Sequence, residues 1–338
     1  MFRIFSLFLF TGLLLISSCA SRKWGHPVGM EIRSDEQGNI NYGHSFRVQV
    51  TLVYSSGKRK DITHDKFTTI TVNGGTLRGN KIHLPHEKNS LSEDVVHMKA
   101  VYLKKEVNYE VSATFNYNYK GDLFIRRSGI SGNTGISGGD GKTSMLFRSG
   151  TDGGDGLDGG DGEDGHDFTI HVYKNESDQM YHFKITDLIT NKTVYLKNKD
   201  LGYAIKLYCN GGDGGNGGNG GNGGDGKDGR MKEDKEKFPG DGGDGGNGGN
   251  GGNGGNGGAI FVFIHPTAKG IEQRIVAFAE AGQAGRGGDA GTAGKRGAPL
   301  EGQQEATDGT VGNPGTLGLT GNQGPAIEMI FEPFDIDF

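Results

Sequence analysis

The chain has 338 residues, 65 of them glycine and only 33% hydrophobic, with a formal net charge of −5. Most of the glycines lie from Gly129 onward, in stretches that cannot build a side-chain core, so length does not convert simply into domain number. No concentrated basic face is present, which excludes nucleic acid as an expected partner, and two cysteines (Cys19 and Cys209) provide no disulfide framework.

Residues 1–18 read as an export signal. Arg3 gives a minimal positive start, and the apolar run from Ile4 to Ile16 is short for a bilayer span. It ends in Leu15-Ile16-Ser17-Ser18-Cys19. This ending resembles the lipobox of bacterial lipoproteins, with an aliphatic residue three before the cysteine and a small residue directly before it. The resemblance implies cleavage before Cys19, diacylation of its thiol and acylation of the new amine, an anchor of several acyl groups. A plain cleaved signal with an incidental cysteine and a short N-terminal membrane anchor are the alternatives. Ala20 in place of an acidic residue implies, by the same resemblance, the outer membrane, with the membrane face left open. Residues 19–26 then form the lipidated tether.

Residues 27–121 carry a period-two pattern. Phe46, Val48, Val50 and Leu52 alternate with polar neighbours, and similar runs cover Thr69–Val72, Val95–Val101 and Tyr109–Tyr117. Ser55-Ser56-Gly57-Lys58 and Asn73-Gly74-Gly75 supply turns. This predicts an immunoglobulin-like β-sandwich. The segment VTLVYSSGKRKDIT is similar to the early strands of bacterial immunoglobulin-like modules, which implies a spacer or adhesion unit.

In residues 122–338 glycine recurs every third residue in six runs, 129–141, 150–165, 211–229, 240–258, 282–297 and 309–324. Loops 142–149, 230–239 and 298–308 join them in pairs; strand-like segments (Phe168–Tyr173, Ala204–Tyr208, Ile260–Ile264, Ile275–Phe278) lie between the pairs, and Ile327–Phe331 follows the last. Strand, run, loop, run, strand repeats three times.

A left-handed threefold helix places residues i, i+3 and i+6 on one edge and leaves every backbone amide pointing sideways for a neighbour. Glycine edges let such helices touch. The stretches GGDGGNGGNGGNGGD (211–225) and GGDGGNGGNGGNGGNGG (242–258) resemble the repeats of polyglycine-II bundles in phage tail-fibre adhesin tips and springtail antifreeze proteins. The fold class expected is therefore mainly β plus non-α glycine helices: an immunoglobulin-like sandwich followed by a six-helix antiparallel polyglycine-II bundle on a small β base. Runs three and four, mostly Gly-Gly-X, should be central; runs one, five and six, mostly Gly-X-Y, peripheral; run two intermediate. A flexible linker and a collagen triple helix are the competing readings.

No enzyme is expected. GGDGKT (138–143) has Ile136 where a phosphate loop needs its first glycine, and His83, His86 and His97 lack a supporting ligand pattern. The acidic ladder Asp152, Asp155, Asp158, Asp161, Asp164 and Asp167 reads as a solvated edge. Weak calcium binding at Asp155, Asp158, Asp161 and Asp164 is the alternative, since carboxylates at this density attract a hard cation; no other cofactor is expected. Cys209 reads as a small buried filler. The contact residues expected at the far tip are Met145, Leu146, Phe147, Met231, Phe238 and Leu300, apolar groups carried on the three loops; capping of the open bundle end is the alternative role. The expected function is a binding or adhesion lipoprotein that meets a protein or glycan partner at the cell envelope, or else a structural subunit of a larger outer-membrane assembly.

Overall fold

The computed structural model describes residues 24–35, 40–90, 94–143, 149–200, 202–233 and 235–336, and it is mainly β. Cys19, Met145, Leu146 and Phe147 lie outside the described residues.

The N-terminal strands are β1 (Pro27–Ser34), β2 (Ser45–Tyr54), β3 (Arg59–Asp61), β4 (Thr68–Asn73), β5 (Thr76–Arg78), β6 (Lys81–His83), β7 (Val95–Lys104) and β8 (Val107–Asn116). One sheet runs β1-β2-β6-β5 with β3 also on β2, and another runs β4-β7-β8. The alternation in the sequence is the alternation in space: Phe46, Val48, Val50 and Leu52 of β2 and Val96, Met98, Ala100 and Tyr102 of β7 are buried. Phe46 meets Phe115 of β8 edge-on at 5.0 Å, so the two sheets face each other. The β4–β5 turn needs glycine at Gly74, whose φ is +85° and which has the Val95 carbonyl where a Cβ would stand.

Ten more strands follow: β9 (Leu123–Arg126), β10 (Phe168–Lys174), β11 (Tyr181–Asp187), β12 (Thr193–Asn198), β13 (Ile205–Tyr208), β14 (Arg230–Lys232), β15 (Lys235–Lys237), β16 (Ile260–Ile264), β17 (Ile275–Phe278) and β18 (Glu328–Phe331). β9, β13 and β17 form a parallel sheet in the order β17-β13-β9. A second sheet runs β12-β11-β10-β16-β18, and within it β10, β16 and β18 are parallel. Leu123, Ile125, Ile205 and Leu207 of the first sheet share one buried cluster with Phe168, Ile170, Val172, Val262 and Ile264 of the second. The N-terminal sheets join it through a polar knot. Asp94 takes bonds from the Tyr42 hydroxyl (2.7 Å), the Tyr119 hydroxyl (2.6 Å) and Lys88 Nζ (2.6 Å), while the Lys197 backbone N–H in β12 donates to the Tyr42 oxygen.

Each parallel strand leads into or out of one glycine run: β9, β13 and β17 precede runs one, three and five, and β10, β16 and β18 follow runs two, four and six. The runs keep the neighbour order of the strands. Backbone bonds such as Gly132→Asp213, Gly217→Arg286, Gly156→Asn247 and Gly251→Thr316 pair runs one with three, three with five, two with four and four with six in parallel. Bonds such as Gly160→Asn133, Gly218→Leu157, Gly249→Gly218, Gly288→Gly249 and Gly315→Gly288 pair consecutive runs antiparallel. Runs three and four thus touch four neighbours, run two three, and runs one and six two.

Run five differs from its expected peripheral place, since it also touches three runs. Its Ala284, Gly287, Ala290 and Ala293 make a second small edge that faces run six. The alanine methyls leave a trace: donors Gly309 to Gly321 reach run five at 2.9–3.1 Å, against 2.8 Å between runs three and four. The loop between runs three and four, expected as a tip loop carrying Met231 and Phe238 around a charged run, contains the hairpin β14–β15.

Candidate functional site

In runs one to four the third residue of most Gly-Gly-X or Gly-X-Y triplets has a defined job. Asn216 Oδ1 accepts the Arg286 backbone N–H at 2.9 Å, and the next residue, Gly217, donates its own N–H to the Arg286 carbonyl at 2.8 Å. One Asn-Gly pair therefore grips both backbone groups of a single residue on the parallel neighbour. Asn219-Gly220 holds Asp289 in this way and Asn222-Gly223 holds Thr292. From run four to run six, Asn247, Asn250, Asn253 and Asn256 hold Asn313, Thr316, Leu319 and Asn322. From run one to run three, Ser131 and Ser137 hydroxyls and the Asp140 carboxylate do the same for Asp213, Asn219 and Asn222. A short residue with an oxygen at its γ or δ position fits the gap, and the following glycine permits the close approach.

The acidic ladder belongs to this device. Oδ1 of Asp155, Asp158, Asp161 and Asp164 each accepts a backbone N–H, from Asn247, Asn250, Asn253 and Asn256 respectively, at 2.6 Å. It is a bonded edge as well as a solvated one. Among the described residues no group of three or more His, Cys, Asp or Glu is placed to hold a metal. The electrostatics register the clamp at Asp244, where the Thr310 N–H and hydroxyl hold the carboxyl below its usual range.

At the end remote from the β base, Met231 is 60% exposed, Phe238 55% and Leu300 38%. Met231 stands on β14 and Phe238 directly follows β15. Gln303 ties the two loops together: its Oε1 accepts the Leu300 N–H at 3.0 Å and its Nε2 donates to the Lys237 carbonyl at 3.1 Å. Three of the six expected tip residues are therefore brought to one end, and the other three fall outside the described residues.

The narrow sides of the array carry apolar groups too. Ile130, Ile136 and Leu157 are exposed on runs one and two, and Val311, Leu317 and Leu319 on run six. Ile130, Ile136, Leu157, Val311 and Leu317 occupy triplet positions that are glycine in the central runs, where a Cβ at Gly212 or Gly246 would run into the carbonyl of Ile130 or Gly154, whereas Leu319 stands where the central runs carry Asn. A further glycine run cannot approach past them. The clamp also stops there: within 282–297 and 309–324 no Asp or Asn precedes a glycine. This Asx-Gly distribution was the available sequence signal for the clamp, and the reading of the X edge as merely solvated passed over it.

Cys209 is buried, with Sγ 3.1 Å from the Gly258 carbonyl, and burial pushes its thiol up to about 11. His83 and His86 border an open cleft with Gly43, Gly74 and Gly75, whereas His97 lies on the other N-terminal sheet and meets Thr114. The three histidines are not assembled.

No family model, no curated protein and no solved structure matches this sequence.

Proposed function

We propose that the protein is a non-catalytic bacterial lipoprotein, held in the outer membrane through acylated Cys19, whose six glycine runs form a polyglycine-II bundle that presents loops to a protein or glycan partner. Residues 27–121 serve in this reading as an immunoglobulin-like spacer between tether and bundle. The observation that carries the reading is the clamp array, in which runs of small residues hold one another through backbone groups along their whole length. Such a rod needs no side-chain core, so its loops are free to vary for contact. Exposed Met231 and Phe238 at the remote end are the groups such a contact would use.

The test is stoichiometric capture from detergent extracts of cells that make the full protein, comparing it with a variant carrying Met231→Ser, Phe238→Ser, Met145→Ser, Leu146→Ser and Phe147→Ser. Loss of the captured partner with an unchanged melting transition supports the tip. Undiminished capture contradicts it.

A second reading rests on the flanks. Exposed Ile130, Ile136 and Leu157 on one side, and Val311, Leu317 and Leu319 on the other, suit a subunit packed sideways in a larger outer-membrane assembly. Site-specific crosslinking from position 136 or 317, rather than 231 or 238, distinguishes it.

A further inference from the structure

Eight Asn-Gly pairs lie in or at the start of the two central runs, at Asn210, Asn216, Asn219, Asn222, Asn247, Asn250, Asn253 and Asn256. Asn-Gly is the dipeptide in which deamidation is sterically easiest, because glycine leaves the attacking nitrogen uncovered. That nitrogen attacks the asparagine Cγ; the new C–N bond closes a succinimide and the C–N bond of the asparagine amide breaks, releasing ammonia. Water then opens the ring. Cleavage at Cγ leaves aspartate, and cleavage at the former backbone carbonyl leaves isoaspartate, with one extra carbon in the backbone path.

We propose that these eight pairs are latent modification sites which the glycine array keeps shut, so that time spent unfolded is recorded in them covalently. In the array both reacting groups are engaged on the same neighbour. The Gly217 N–H is bonded to the Arg286 carbonyl at 2.8 Å while Asn216 Oδ1 is held by the Arg286 N–H at 2.9 Å, and the asparagine amide cannot fold back over its own backbone. The arrangement recurs from Asn210-Gly211 on Glu280 to Asn256-Gly257 on Asn322. Attack therefore requires the clamp to open, and the rate falls with the open fraction.

The two products differ in what the array accepts. Aspartate already fills equivalent positions, at Asp213 and Asp225 in run three and Asp241 and Asp244 in run four, each accepting the N–H that asparagine would accept. Isoaspartate lengthens the backbone and shifts every later residue out of the three-residue register. Deamidation to aspartate is thus a silent substitution here, and isomerisation a folding block.

Asn73-Gly74, at the exposed β4–β5 turn, is a control within the same molecule. The full protein is incubated at mildly alkaline pH, native and in denaturant, and peptides are assayed for the amide-to-acid mass change. In the native sample the eight clamped asparagines should convert at least ~30-fold more slowly than in denaturant, while Asn73 converts in both. A smaller slowing at the clamped sites overturns the proposal. In a second arm the denatured, partly converted sample is refolded and its compact fraction isolated. Aspartate at the eight sites should be present in that fraction and isoaspartate depleted; equal recovery of both overturns the register argument.

Discussion

Asp161 and Asn253 face each other across runs two and four so that the carboxylate Oδ1 takes the asparagine backbone N–H at 2.6 Å, while Gly162 returns its own N–H to the Asn253 carbonyl at 2.7 Å. Asn253 in turn takes the Leu319 N–H at 2.8 Å. Three runs are tied rung by rung, and the pattern explains why, Thr134 apart, the X edge is Asp, Asn or Ser wherever a parallel neighbour follows it. Breaking one rung should cost little and removing the clamping oxygen more than altering its charge. Asn253→Ala is expected to destabilise by about 0.5–1.5 kcal/mol, the net value of such a bond, and Asn253→Asp by less. Chemical denaturation of the two variants checks the order.

Glycine should be indispensable inside the array and dispensable at its rim. A Cβ on Gly249 would collide with the Leu157 carbonyl, whereas one on Gly139 has open space. Gly249→Ala is expected to cost on the order of 1–3 kcal/mol or more, as overpacking does. Gly139→Ala should be neutral or stabilise by about 0.4–1 kcal/mol through the unfolded state. Paired thermal melts decide it.

Acid should act through Asp187. Burial raises its carboxyl, but the His166 ring and the Thr190 N–H bond to it and prevail, leaving it below the ordinary value of 3.8. A depressed folded value means that the stabilisation is present above the unfolded value and is lost as pH falls through the folded one. Stability should decline below about pH 4 in part through this group, and Asp187→Asn should flatten that limb in pH-dependent melts. Alkali acts through Tyr42 and Tyr119, whose phenols are pushed far above 10.0 by burial and by the Asp94 carboxylate. Their contribution is intact below the unfolded value and erodes as pH rises beyond it, so unfolding should accelerate above about pH 10.

Cys209 should resist thiol reagents in the native protein. It is buried and its thiol is raised to about 11, so little thiolate exists near neutrality. Labelling should track unfolding; rapid native labelling contradicts the burial.

Much of this was legible in the residues themselves. Phe46 to Leu52 announced a half-buried strand by alternation alone, and the doubled glycines of runs three and four announced their central place. Run five misled because its second edge is alanine, and counting only glycine hides an edge that a methyl group still lets approach. The strands Leu123–Arg126 and Tyr181–Asp187 are short or polar on one face and take their definition from pairing partners more than 50 residues away or from a hairpin. The acidic ladder misled differently. A row of aspartates looks solvated until the neighbouring N–H row is known, and only the glycine after each aspartate hints that a neighbour comes close.

Amide hydrogen exchange across residues 211–258 tests the central claim most directly. Glycine donors such as Gly218, Gly221, Gly249 and Gly252 are bonded to carbonyls of adjoining runs, and slow exchange that collapses in one cooperative transition is the predicted result. Exchange at the rate of unstructured polyglycine under native conditions would contradict the account.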